Sequence, residues 1–174
     1  MDENVKKEVI SWIKVIISAF IIAFILKTYV FQIALVNQIS MEPTLHEGQI
    51  LVIAKINYLA GEPQRGDIVV LKDELEKKFL IKRAIGLPGE MIEIKNDRVY
   101  IDGKLLDPDY TAAPTTDNGF VKSEVPAGKY FVMGDNRPHS RDSRSDTVGF
   151  VDSRNIVGKA VFRIWPLNKI GIVK

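Results

Sequence analysis

The chain has 174 residues, with 24 Lys and Arg against 22 Asp and Glu and a net charge of +2. That length suits one compact domain with a small appendage, and so slight an excess of positive charge lacks the concentrated basic patch that a nucleic-acid partner requires. Cysteine is absent and His46 and His139 are the only histidines, which excludes disulfides, thiolate chemistry and a histidine-rich metal site together.

The first element is the stretch 9–26, VISWIKVIISAFIIAFIL, apolar apart from Lys14, Ser11 and Ser18. Eighteen helical residues at about 1.5 Å each cover roughly 27 Å, close to the hydrocarbon core of a bilayer. Lys14 lies near the N-terminal end, where its stem can carry the charge back to the headgroups. Trp12 and Tyr29 fall near the two ends, as interfacial aromatics do. Lys6, Lys7 and Lys14 precede or enter the run and only Lys27 closely follows it, so the N-terminus is expected inside and the bulk of the chain outside. Lys27, Thr28, Tyr29, Val30 and Phe31 follow, without the small residues of a removable leader's cleavage site. An uncleaved, lipid-embedded anchor is therefore expected rather than the buried core helix of a soluble protein. The expected organisation is a cytoplasmic tail at 1–8, a membrane anchor at 9–27 and an extracytoplasmic β domain at 28–174.

Beyond about residue 31, short runs of Ile, Val, Phe and Tyr alternate with Gly, Pro and Asp turn signals. Strands are expected at 49–55, 67–71, 79–85, 91–95, 98–101, 129–133 and 157–165. Asp102-Gly103 is a hairpin turn signal and Asn96-Asp97 another, while the composition of 107–119, DPDYTAAPTTDNG, marks a surface loop. No later segment has helical periodicity, so the soluble part is expected to be mainly β, a barrel or packed sheets.

Three segments hold candidate chemistry. Ser40 stands in ISMEPTL, a short way past the apolar run, where a serine is ordinarily a cap or turn residue. Lys82 stands in FLIKRAIGLPGE. On a strand, Leu80, Lys82 and Ala84 share one face, and Ile81, Arg83 and Ile85 share the other, so the two cations must serve different partners. Apolar neighbours suit a lysine base, whose ordinary pKa near 10.4 must fall by roughly 3 units to work near neutrality. The third segment, GDNRPHSRDSR at 134–144, follows a strand, and its acids and arginines are spaced to pair locally. Two decoys accompany these. Arg65-Gly66-Asp67 is more economically a turn into the strand IVVL than an adhesion motif. His139, next to Pro138 in a charged loop, is better read as solvated than as part of a Ser-His-Asp triad.

Together these segments resemble bacterial type I signal peptidases, in a compact single-anchor form. SMEPTL at 40–45 is similar to the family's nucleophile box and KRAIGLPG at 82–89 to its general-base box. GDNR at 134–137 with Ser140, Asp142, Ser143 and Arg144 is similar to its C-terminal box, and PQRGDIV at 63–69 to a segment leading into a strand. The boxes occur in the family's order, from the anchor to near the C-terminus. The resemblance implies a membrane-bound serine endopeptidase with Ser40 as nucleophile and Lys82 as base, needing neither metal nor cofactor. Its substrates would be exported preproteins, cut after small A-x-A-like residues. It further implies that Ser140 hydrogen-bonds the Lys82 amine, that Asp142 pairs with Arg144 and Asp135 with Arg83, and that the Ser40 backbone N–H helps bind the oxyanion. FQIALV at 31–36 would border the substrate groove.

Gln38 departs from the family's small residue two positions before the nucleophile. Its amide could supply the second oxyanion donor, or its bulk could crowd the site; an extended 38–40 segment would place both side chains on one face and favour donation. Two other functions remain open: a self-cleaving Ser–Lys repressor, against which the apolar segment argues, and a catalytically impaired membrane-tethered binding domain of the same fold, which Gln38 favours.

Overall fold

An apolar N-terminus with no partner strand folds as a helix. In the computed structural model, which describes residues 3–55, 61–73, 76–107, 110, 111 and 113–173, α1 (Glu3–Ile25) runs into a π-helical turn at Leu26–Val30. Residues 1 and 2 of the expected tail, 108, 109 and 112 of the expected loop, and 174 lie outside the described residues. The helical span Lys6–Val30 is 25 residues long, with none of its apolar window buried against protein. Trp12 is 63 % exposed, Phe20 73 % and Phe24 67 %, an apolar surface on all sides that a bilayer would cover. By length and composition this helix can cross a membrane.

The remainder is β. Phe31–Leu35 (β1), Ile50–Ala54 (β2), Ile68–Asp73 (β3), Lys78–Gly86 (β4), Lys129–Met133 (β9), Val151–Asp152 (β10) and Ile156–Trp165 (β11) form an antiparallel sheet in the order β1-β2-β11-β3-β4-β9-β10, with Gly171–Ile172 (β12) paired to β11. A smaller antiparallel sheet runs β7-β6-β5-β8 through Lys104–Leu105, Arg98–Ile101, Met91–Lys95 and Ser123–Glu124. The expected strands are all present, with their ends moved by at most two residues. Both turn signals hold. Asn96 and Asp97 (φ 50 and 59) join β5 to β6, and Asp102 and Gly103 (φ 50 and 78) join β6 to β7, the left-handed pairs that a two-residue hairpin demands.

The run IVVL on β3 is apolar throughout because both its faces are covered. Ile68 and Val70 join a cluster with Val36, Met41, Leu45, Leu51 and Ile53. Val69 and Leu71 join Leu80, Ala84, Tyr130 and Val132 on the opposite face. Ile85, Phe131 and Met133 meet Ile92 and Val99 of the smaller sheet, and Val125 just after it, in a third cluster. Met41 and Leu45, 1 % and 0 % exposed, pin the segment after β1 onto the first cluster. Burying two such side chains contributes on the order of 1.5–3 kcal/mol each, and this holds the intervening chain against β4.

Candidate functional site

Packing Met41 and Leu45 forces the chain between β1 and β2 to turn. Ile39–Met41 is a single 3-10 turn, entered from an extended Gln38 (φ −143, ψ 150). The extended 38–40 segment that would place both side chains on one face is not adopted: Ser40 is 6 % exposed, whereas Gln38 is exposed to solvent. Ser40 faces β4, where Lys82 is 1 % exposed. Lys82 Nζ donates to Ser40 Oγ over 2.7 Å, a contact between residues 42 positions apart. Burial is the largest influence on the amine and drives its pKa from 10.5 down to about 8; Asp142 opposes this, Arg141 and Arg144 reinforce it, and Asp135 opposes it least. An ammonium stripped of water is disfavoured relative to the neutral amine, and a hydroxyl partner supplies no compensating negative charge.

One residue along β4, the strand alternation turns Arg83 to a different partner, as expected. Its Nε and Nη2 donate to Asp135 Oδ1 and Oδ2 at 2.9 and 2.7 Å, a bidentate pair with side chains 2 % and 1 % exposed. Arg83 Nη1 donates to Gly66 O at 2.8 Å, Thr44 Oγ1 donates to Asp135 Oδ2 at 2.6 Å, and the Tyr110 ring lies 4.1 Å from the guanidinium carbon. Thr44 belongs to the segment carrying Ser40, so this network fixes the far end of that segment as Met41 fixes the near end.

The loop after β9 supplies the third wall. Asp142 accepts from Arg144 Nε at 2.8 Å and Nη2 at 3.0 Å, and from the Gly134 N–H at 3.0 Å; neither charged side chain is exposed. Arg144 also donates to Arg137 O at 2.6 Å and Thr116 O at 3.1 Å. Arg137, expected to pair locally with an acid, donates to Gly134 O at 3.1 Å and to Thr115 Oγ1. The loop is tied to the serine turn by backbone: Asn136 N–H donates to Ser40 O at 3.1 Å, and Asn136 Nδ2 to Ile39 O at 3.2 Å. A side chain at Gly134 would collide with Ser40 O and Ser140 Oγ, so this close approach requires glycine. Ser140 differs from expectation. Its buried hydroxyl has no hydrogen-bond partner among the described residues; the Lys82 amine points to Ser40 instead, and Ser140 Oγ packs against Gly134. His139 is exposed, 3.1 Å from Asn136 Oδ1, in keeping with a solvated histidine. Arg65-Gly66-Asp67 forms the turn into β3, with Asp67 N–H donating to Gln64 O at 3.0 Å.

Two depressions meet at Ser40. One, of about 460 Å³, runs between β1 and the Lys78–Ile81 part of β4, bordered by Gln32, Ile33, Leu35, Gln38 and Phe79. The other, of about 390 Å³, contains Ser40 and Lys82 and is rimmed by Glu47, Glu76, His139 and Arg141. The first begins at the strand that follows the apolar helix, as expected for FQIALV. A larger cavity of about 650 Å³, bordered by Lys72, Lys129 and Arg154, contains neither Ser40 nor Lys82. Among the described residues no cluster of His, Asp or Glu is placed to hold a metal ion. Chemically, a buried serine hydroxyl touching a lysine amine of lowered basicity, at the end of an open groove, has the makings of an acyl-transfer site.

Sequence reading missed Thr44, Tyr110 and Arg141, because each acts on a partner far away in the chain and carries no local pattern.

Comparison with known proteins bears on what such a site belongs to. The family model described as signal peptidase, peptidase S26, matches residues 9–165. Signal peptidase I of Bacillus licheniformis is 39% identical over 96% of this chain and 94% of its own length. Signal peptidase I S of Bacillus subtilis strain 168 is 40% identical over 97% and 96%, and signal peptidase IB of Staphylococcus aureus strain COL is 35% identical over 94% and 93%. A crystal structure of a signal peptidase I from Enterococcus faecalis V583 is similar at 37% identity and a TM-score of 0.48, covering 56% of this chain and 96% of that one. With a family match spanning nearly the whole chain and relatives of this identity along nearly their full length, the chain belongs to the signal peptidase I family, peptidase S26.

Proposed function

We propose that this peptidase removes signal peptides from exported preproteins, with Ser40 as nucleophile and Lys82 as general base, cutting after small residues in A-x-A-like sites. The observation that carries the reading is the 2.7 Å contact between a buried Lys82 Nζ and Ser40 Oγ. The amine's pKa of about 8 leaves roughly a tenth of it neutral at pH 7. In that state the hydrogen bond reverses: Ser40 O–H donates to the lone pair on Nζ. Attack of Oγ on the scissile carbonyl transfers its proton to Lys82, and the C–N bond breaks as the ammonium returns that proton to the leaving amine. A water takes the amine's place and gives its proton to Lys82 as its oxygen attacks the acyl carbonyl; the C–O bond to Ser40 then breaks, the ammonium returns the proton to Ser40 Oγ, and the acid product leaves with the dyad restored. The Ser40 N–H is the proposed oxyanion donor, and the Gln38 amide, which borders both depressions that meet at Ser40, is proposed as the second. Asp142–Arg144 and Asp135–Arg83 hold the loop and the serine segment in place.

The helix at 9–27 is proposed as a single anchor, with 1–8 cytoplasmic and 28–174 outside, its lipid contact continuous with the exposed apolar helix surface. A signal peptide spans the same bilayer, so its end would enter the groove beside β1, next to the anchor, and the mature chain would leave through the depression rimmed by Glu47 and Arg141. The test is cleavage of a secretory preprotein by detergent-solubilised protein. Ser40→Ala is expected to abolish product and Lys82→Arg to fail to support it, since a guanidinium does not become neutral at working pH. Substantial cleavage by either variant overturns the assignment.

A further inference from the structure

Arg141 is next to Asp142 in the chain yet turns away from the Asp142–Arg144 pair. Its Nη2 bonds Asp73 Oδ2 and lies 3.3 Å from Glu76 Oε1. Asp73 is the last residue of β3, paired across the strands with Lys78, and its side chain is only 6 % exposed. Arg141 thus ties the loop after β9 to the end of the β3–β4 pair. It also rims the depression that holds Ser40 and Lys82. A planar guanidinium bridging two carboxylates makes a wall that an ammonium does not reproduce in geometry, although it reproduces the charge.

We propose that Arg141 is a positioning residue for Lys82: gripped by Asp73 and Glu76, it fixes one wall of the cavity and holds a positive charge beside the buried amine. This rests on the reading of Lys82 as the base. The charged groups acting on Lys82 are Asp142, Arg141, Arg144 and Asp135, in that order after burial itself. Glu47, Glu76 and His139 share the cavity rim and are exposed to solvent, where water and salt screen them. Of the two arginines acting on Lys82, Arg144 is fully enclosed with Asp142. Arg141 is a third exposed and spans to a separate strand, so it can be altered without opening the Asp142–Arg144 pair. Removing Arg141 deletes a charge that disfavours the ammonium and deprives the buried Asp73 carboxylate of this partner; both changes favour protonated Lys82.

The test is the pH dependence of kcat/KM for a signal-peptide substrate, measured on the full chain in detergent. The wild type is expected to lose activity as pH falls through about 8. In Arg141→Ala that acid limb moves up by about half a pH unit, a threefold or so loss at pH 7 on top of a lowered high-pH plateau, since the wall is lost with the charge. Arg141→Lys, which keeps the charge, leaves the limb in place and lowers the plateau. Adding Asp73→Asn to Arg141→Ala brings the limb part of the way back. An Arg141→Ala limb at the wild-type position, or an Arg141→Lys limb displaced as far as that of Arg141→Ala, overturns the inference. If Arg141→Ala does not fold, Asp73→Asn alone decides: the limb moves down as Arg141 loses its neutralising partner, and an unmoved limb counts against the proposal. A wild-type profile without a limb near 8 refutes Lys82 as base, whereas a limb near 8 that ignores Arg141 refutes only the positioning role of Arg141.

Discussion

Lys82 and Arg83 are consecutive on β4, both cations, 1 % and 2 % exposed, and they differ in what meets them. Arg83 has a bidentate carboxylate, a backbone carbonyl and an aromatic face. Lys82 has a serine hydroxyl. Desolvation acts on both, but only the arginine's charge is balanced at contact distance. A buried charge with a matched partner becomes a structural tie, whereas one without a matched partner relinquishes its proton and becomes a base. The period-2 geometry of a strand is what lets two adjacent residues have such different environments.

The contrast breaks first under partner removal. Arg83→Met or Asp135→Asn strands a buried charge and is expected to cost about 3–5 kcal/mol in denaturant unfolding, together with loss of cleavage as the Thr44 segment loosens. Lys82→Met is expected to abolish cleavage, yet it removes a buried cation with no acid in hydrogen-bond contact and keeps the apolar stem. Its unfolding free energy at pH 7 should match or exceed the wild type's. A Lys82→Met protein as unstable as Arg83→Met would erase the distinction.

The same contrast has a pH signature. Lys82 has a folded pKa of about 8 against 10.5 for the free side chain, so between these values the unfolded chain binds more protons than the native one and stability rises with pH. The burden is fully present below about pH 8 and relieved by about 10.5, a change of about 3 kcal/mol. The stability advantage of Lys82→Met over wild type should therefore shrink across that window. A difference constant from pH 7 to 10 would contradict the lowered basicity.

A smaller effect sharpens the catalytic side alone. Gln38→Ala, at an exposed position, should leave unfolding unchanged while lowering kcat about 10²-fold with little change in KM. A rate change without a stability change is the pattern opposite to that of Asp135→Asn. An unaltered kcat would leave the second oxyanion donor to another group, and a raised one would show that Gln38 obstructs.

Much of this was legible in the sequence, and for identifiable reasons. The β3 run IVVL, the two left-handed hairpin turns and the opposed faces of Lys82 and Arg83 all follow from local periodicity and turn chemistry. β1 is hard to read as a strand because it continues the apolar run of the helix without a turn signal, and its apolar face of Phe31, Ile33 and Leu35 is exposed rather than turned to the core; pairing with β2 defines it. The path of 38–40 is not legible in ISMEPTL, because nothing there reveals that Met41 and Leu45 are drawn into a cluster built from strands elsewhere. The ties made by Thr44, Tyr110 and Arg141 depend on register between distant segments. Ser140 was placed by resemblance beside the lysine amine, but the close approach of Gly134 to Ser40 O gives its hydroxyl a different neighbour.

The central claim, that burial beside Ser40 makes Lys82 a base near neutrality, is tested most directly by the protonation of that one side chain. Protein carrying lysine labelled with 13C at Cε, in detergent, can be titrated by NMR, with Lys82→Arg used to assign the signal. One resonance titrating near 8 and absent from the variant is the predicted result; a Lys82 signal titrating above 10, with the other lysines, would contradict the account.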